Sequence, residues 1–106
     1  MDLAVEVYRP TKAFPKVETY GLTLQATRAA ASVPANIAEG NARGSRRDYA
    51  NFLAIAKGSL VEVETYLSLA VRLKYLSRVE TSCAFSLVTE ISKMLTAMRT
   101  KLLALE

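Results

Sequence analysis

"SRRDYANFLAIAKGSLVEVETYLSLAVRLKYL", residues 45–76, places apolar side chains at alternating steps of four and three. Tyr49, Leu53, Ala56, Leu60, Val63, Leu67 and Ala70 form one such row, the spacing of side chains stacked on one face of an α-helix. A second row, Phe52, Ile55, Ser59, Glu62, Tyr66, Leu69, Leu73 and Leu76, runs beside it. Two adjacent rows predict a helix that packs on two sides, as bundle helices do. At a rise of about 1.5 Å per residue such a helix would be about 48 Å long. Ser45 followed by Asp48 resembles a capping box with Asp where Glu is usual.

Downstream, Ala84, Val88, Ile91, Leu95, Met98, Leu102 and Leu105 make an equally regular row, with Leu87 and Met94 alongside. The connector "YLSRVE", residues 75–80, folds these two helices into an antiparallel hairpin. Upstream, Leu22, Ala26, Ala29, Val33 and Ile37 predict a helix from about Lys16 to about Ala42 that folds against the hairpin. Its small residues, "ATRAAAS", let a neighbouring helix approach closely. Pro34 removes one backbone bond and is expected to kink it near residues 30–32. Residues 3–9 read as a short helix ended by Pro10, and Pro15 suits a helix start. The expected fold is all-α: an antiparallel up-and-down four-helix bundle, one domain over residues 1–106.

The totals narrow the chemistry. Half of the 106 residues (51%) are apolar and 23% are charged, which suits one folded core. Four glycines and three prolines are too few for a turn-rich β fold. With no histidine and a single cysteine, the chain cannot build a Ser-His-Asp or Cys-His site, a His-containing zinc site or an internal disulfide. Cys83, in "TSCAFSL", is expected to be a packed thiol. No apolar run approaches the ~20 residues of a membrane span and no signal peptide is legible, so a cytoplasmic protein is expected. The net charge is +4.

Residues 14–76 resemble the four-helix-bundle proteins of the 23S rRNA intervening-sequence family. The likeness rests on "FPKVETYGL" at 14–22, on "QATRAAASVPANIAEG" at 25–40, on "RGS" at 43–45 and on "IAKGSLVEVET" at 55–65. It implies a four-helix protomer, a ring-like homopentamer, and kinship with the accessory variability determinant proteins of diversity-generating retroelements. Those basic pentamers bind nucleic acid and a reverse transcriptase. The sequence departs from the family's pattern in three ways. The family starts further ahead of "LAVEVY", so the first helix is expected to be truncated. Pro10 stands where leucine is usual, and Thr27 replaces the first of two paired arginines, leaving Arg28.

The loop "GNARGSR" at 40–46 lacks the G-x-x-x-x-G-K-[ST] spacing of a phosphate loop, and no strand precedes it. It reads as a corner, with Gly40 or Gly44 supplying the left-handed residue that stops the helix. The corner is charged. Arg43, Arg46 and Arg47 stand against Glu39 and Asp48, and an antiparallel bundle brings Arg99 and Lys101 to the same pole. The opposite pole collects Lys12, Lys16, Arg72, Lys74 and Arg78. Cations at a helix C-terminus satisfy the dipole, whereas Arg46 and Arg47 in a first turn oppose it. Arg43, Arg46, Arg47, Arg99, Lys101 and Arg28 are therefore the candidate nucleic-acid contacts.

Asn36 and Glu39, with Ser32 or Gln25, read as a structural polar network, as do Glu62 and Glu64. Glu62 is expected to reach Arg28 or Lys57 across helices. A two-metal site in a bundle needs Glu-x-x-His, so no metal or cofactor is expected. Tyr49, Tyr66 and Tyr75 have the periodicity of core and rim. The reading is a non-enzymatic oligomeric scaffold that binds RNA or structured DNA. The alternative is a scaffold for a protein partner with no nucleic-acid role.

Overall fold

The computed structural model describes residues 2–11 and 21–105. Four helices, α1 (Asp2–Thr11), α2 (Leu22–Ala42), α3 (Arg46–Arg72) and α4 (Arg78–Ala104), account for most of them, with no strand among the described residues. Each helix packs on two neighbours in a closed order: α1 on α2, α2 on α3, α3 on α4, and α4 on α1. The molecule measures 47 × 23 × 18 Å, an elongated shape that suits α3 and α4, each of 27 residues and about 40 Å long.

The first apolar row of α3 is the core. Leu53, Ala56, Leu60, Val63 and Leu67 are fully buried against Ala26, Ala29, Ala30 and Val33 of α2 and Ala84, Val88 and Leu95 of α4. Truncating one of these leucines to alanine removes about 2–5 kcal/mol. Leu3 and Val7 of α1 join the same core. The second row behaves differently. Ser59 and Leu76 are buried, but Ile55, Glu62, Leu69 and Leu73 are exposed, so one chain covers only part of that side.

The helix ends explain where the sequence reading slipped. α1 continues through Pro10 to Thr11, because proline's fixed φ is itself helical and only one hydrogen bond is lost. α2 ends at Ala42 as expected and starts, within the described residues, at Leu22; the expected first turns near Lys16 lie outside them. It stays helical through Pro34. Gly44, at φ +83°, is the left-handed corner residue. Gly40 is buried inside α2 for another reason: a Cβ there would stand 2.6 Å from the Phe52 Cβ. Gly40 lets α2 and α3 touch.

α3 stops at Arg72, four residues short of the expected end. Lys74 takes a left-handed conformation at φ 63°, and the Lys74 and Tyr75 amides donate to the carbonyls of Val71 and Ala70. That pair of bonds is a Schellman closure, usually built on glycine, and with lysine in that place it left no mark in the sequence. α4 then opens on a full capping box: Ser77 Oγ accepts from the Glu80 amide, and Glu80 Oε1 accepts from the Ser77 amide.

Candidate nucleic-acid interface

The corner between α2 and α3 meets the end of α4. Ser45 caps α3 by accepting from the Asp48 amide at 3.1 Å. Arg46, in the first turn, donates from Nη1 to the Leu105 carbonyl at 3.2 Å. Arg99 donates from Nε to the Ala50 carbonyl at 3.3 Å. Arg43, Arg46, Arg47 and Lys101 are exposed at the same pole. Bonds to neutral carbonyls orient the guanidinium groups of Arg46 and Arg99 and leave their charge in place. Arg43 differs: it forms an ion pair with Glu39 at 2.8 Å and lies 5.1 Å above the Phe52 ring. Its charge is largely spent within the corner.

This arrangement revises one step of the sequence argument. Arg46 does oppose the dipole of its own helix. The antiparallel packing, however, sets it against the negative end of α4, where a cation is favourable. Arg28 does not join the group. Fifteen residues separate it from Arg43 on α2, about 22 Å along the helix. Lys12 and Lys16 of the other pole lie outside the described residues.

The polar groups sort themselves by burial. Asn36 Nδ2 donates to the Ser32 carbonyl and to Ser32 Oγ, and Ser32 Oγ lies 2.9 Å from Ser59 Oγ across the α2·α3 contact. Glu39 is not in this network; it faces solvent and holds Arg43. Glu62 and Glu64 are exposed too, and among the described residues no ion pair reaches either. Lys57, with Arg28 one of the two expected partners of Glu62, donates to Thr96 Oγ1 on α4 at 2.8 Å. Glu62 lies on the part of the second α3 row that the protomer leaves uncovered. Tyr49 and Tyr66 are half-buried against the main core, and Tyr75 packs on the Leu22, Ala70 and Leu76 cluster. Cys83 is exposed, contrary to expectation, because the buried row of α4 runs through Thr81 and Ala84. Among the described residues no three His, Cys, Asp or Glu side chains converge as metal ligands. Among them, too, no helix is long and apolar enough to cross a membrane.

The profile of the family described as 23S rRNA-intervening sequence protein matches residues 1–97. The chain belongs to that family. A crystal structure of a protein of unknown function from the S23 ribosomal protein family of Bacteroides thetaiotaomicron VPI-5482 superposes with a TM-score of 0.84. It is 29% identical, and the match covers 92% of each chain. No curated protein matches.

Within this intervening-sequence protein, the stretches that carried the resemblance turn out to touch each other. Ser32 and Asn36 of "SVPANIAEG" meet Ser59 of "GSLVEVET", and Gly40 of the first stretch admits the Phe52 side chain. These residues hold α2 against α3. They are architectural contacts.

Proposed function

We propose that this intervening-sequence protein is a non-enzymatic scaffold that self-associates into a ring and holds RNA or structured DNA by its phosphates. The observation that carries the reading is the pole itself: Arg46, Arg47, Arg99 and Lys101, drawn from two helices, against Asp48 of the same turn. Phosphate contacts of this kind supply affinity without reading sequence. The family resemblance suggests five protomers, and five copies at +4 would concentrate about +20 on one particle, a field able to retain a polyanion at moderate salt. Ile55 and Met94, each more than half exposed, supply apolar surface that self-association would cover.

The same exposed side chains favour the second reading, a scaffold whose partner is another protein; a reverse transcriptase is the example the resemblance offers. Two measurements separate the readings. Solution mass with and without RNA is expected to show an oligomer that retains RNA, with affinity falling steeply from 50 to 200 mM salt. A monomer, or RNA binding equally weak at both salt concentrations, would count against the first reading. Recovery of a protein partner after nuclease treatment would favour the second.

A further inference from the structure

The outer side of the α3·α4 hairpin carries a feature that extends well beyond the basic pole. A run of shallow depressions, each sharing lining residues with the next, follows the seam between the two helices except at the third, which is lined by α3 alone. The first, about 300 Å³, lies over Gly58 and is lined by Lys57, Thr96 and Arg99. Lys57 and Val61 belong also to the second, with Lys93 and Glu64. Glu64 leads into the third, with Arg72, and Arg72 into the fourth, with Arg78. Together they make one shallow groove, about 31 Å long from Arg99 to Arg78.

Its charge is one-sided. Arg99, Lys57, Lys93, Arg72 and Arg78 line it, and Glu64 is the only carboxylate among the lining residues. Hydroxyls stand between the cations: Thr89, Ser92, Thr96 and Thr100 follow one another along α4. A Cβ added to Gly58 would meet nothing within 4 Å, so the groove is open at its Arg99 end. Three cations interleaved with hydroxyl donors at the Arg99 end, and a second pair of cations at the Arg78 end, offer partners to a chain of phosphodiesters, which presents an anionic acceptor at every unit. The groove starts at Arg99, which is also part of the basic pole.

We propose that a nucleic-acid strand bound at the pole continues along the α3·α4 groove, its phosphates contacted by Arg99, Lys57, Lys93, Arg72 and Arg78. This rests on the nucleic-acid reading above and adds the path. Five such contacts would give log K against log salt a groove contribution of about −3.5 on single strands.

The test titrates a single-stranded RNA oligonucleotide against the full chain and four variants over a range of salt. Lys57→Ala and Lys93→Ala are each expected to weaken binding and to lower the slope by about 0.7. Gly58→Leu keeps every charge and fills the groove; it is expected to weaken binding at all salt concentrations while the helical circular dichroism is retained. Arg46→Ala/Arg47→Ala provides the pole comparison. If the pole variant loses RNA while the three groove variants bind with wild-type affinity and slope, the path is wrong and the nucleic-acid reading stands. If the wild-type protein shows no salt-dependent RNA binding, both fall. Groove variants that keep RNA but lose a nuclease-resistant protein partner would overturn the path and assign the groove to that partner.

Discussion

Arg46 Nη1 donates to the main-chain oxygen of Leu105, 3.2 Å away, so the first turn of α3 closes the last turn of α4. Each α-helix leaves its final carbonyls without intrahelical partners, and a side chain from a neighbour is one way to satisfy them. A cation that is misplaced with respect to its own helix is here well placed with respect to the adjacent one.

Replacing Arg46 with methionine is therefore expected to loosen α4 locally. Amides in the last turn of α4 should exchange faster with solvent. Global stability should move by no more than about 0.5 kcal/mol, as is usual at the surface. A loss spread over the whole bundle would show that the bond does more than close one helix end.

Gly40 and Gly58 make a pair of opposite sign. Gly40→Ala brings a Cβ to 2.6 Å from the Phe52 Cβ and 3.1 Å from Tyr49 Cδ1. Overpacking of this kind costs about 1–3 kcal/mol and exceeds the gain in helix propensity. Gly58→Ala meets no atom and should stabilise by about 0.5–1 kcal/mol. Urea midpoints at unchanged m would read both effects.

Lys74→Gly should also stabilise the protein. Lysine at φ 63° bears a steric cost of about 1 kcal/mol that glycine does not. Removing it leaves the amide bonds to Val71 and Ala70 intact. Thermal unfolding would report the rise; a fall would mean that the Lys74 side chain has a compensating role.

Ile55→Glu and Met94→Glu place charge on apolar side chains that are 52% and 56% exposed. Neither belongs to the buried core, so helical content should survive. Sedimentation is expected to show smaller species than the wild type. Unchanged assembly in both variants would place the contact between copies elsewhere.

Much of the fold was legible because the strict four-three row of α3 leaves the chain no other way to hide Leu53, Leu60 and Leu67. The small residues of α2 and the row of α4 follow by the same logic. What escaped the pattern were features that depend on more than one helix. The end of α3 rests on a left-handed lysine, for which no propensity rule would be read. The partners of Lys57 and Arg46 depend on how helices sit beside each other. Glu62 and Ile55 share the period of the second row, yet periodicity cannot say whether a seam is covered by the same chain. The pole was found from charge and antiparallel order. The groove needed Lys57 and Lys93, 36 positions apart, to be seen on one seam.

Two tight reversals, at residues 43–45 and 73–77, join α2, α3 and α4. Nearly all packing in this part of the molecule is thus between stretches adjacent in the chain, and closing such short loops costs little entropy. Assembly is expected to be fast and to begin with the α3–α4 turn, where Ser77 and Glu80 lock the reversal on one side and Lys74 on the other. Docking of α1 on α4 brings together the most distant parts of the chain and is the natural last event.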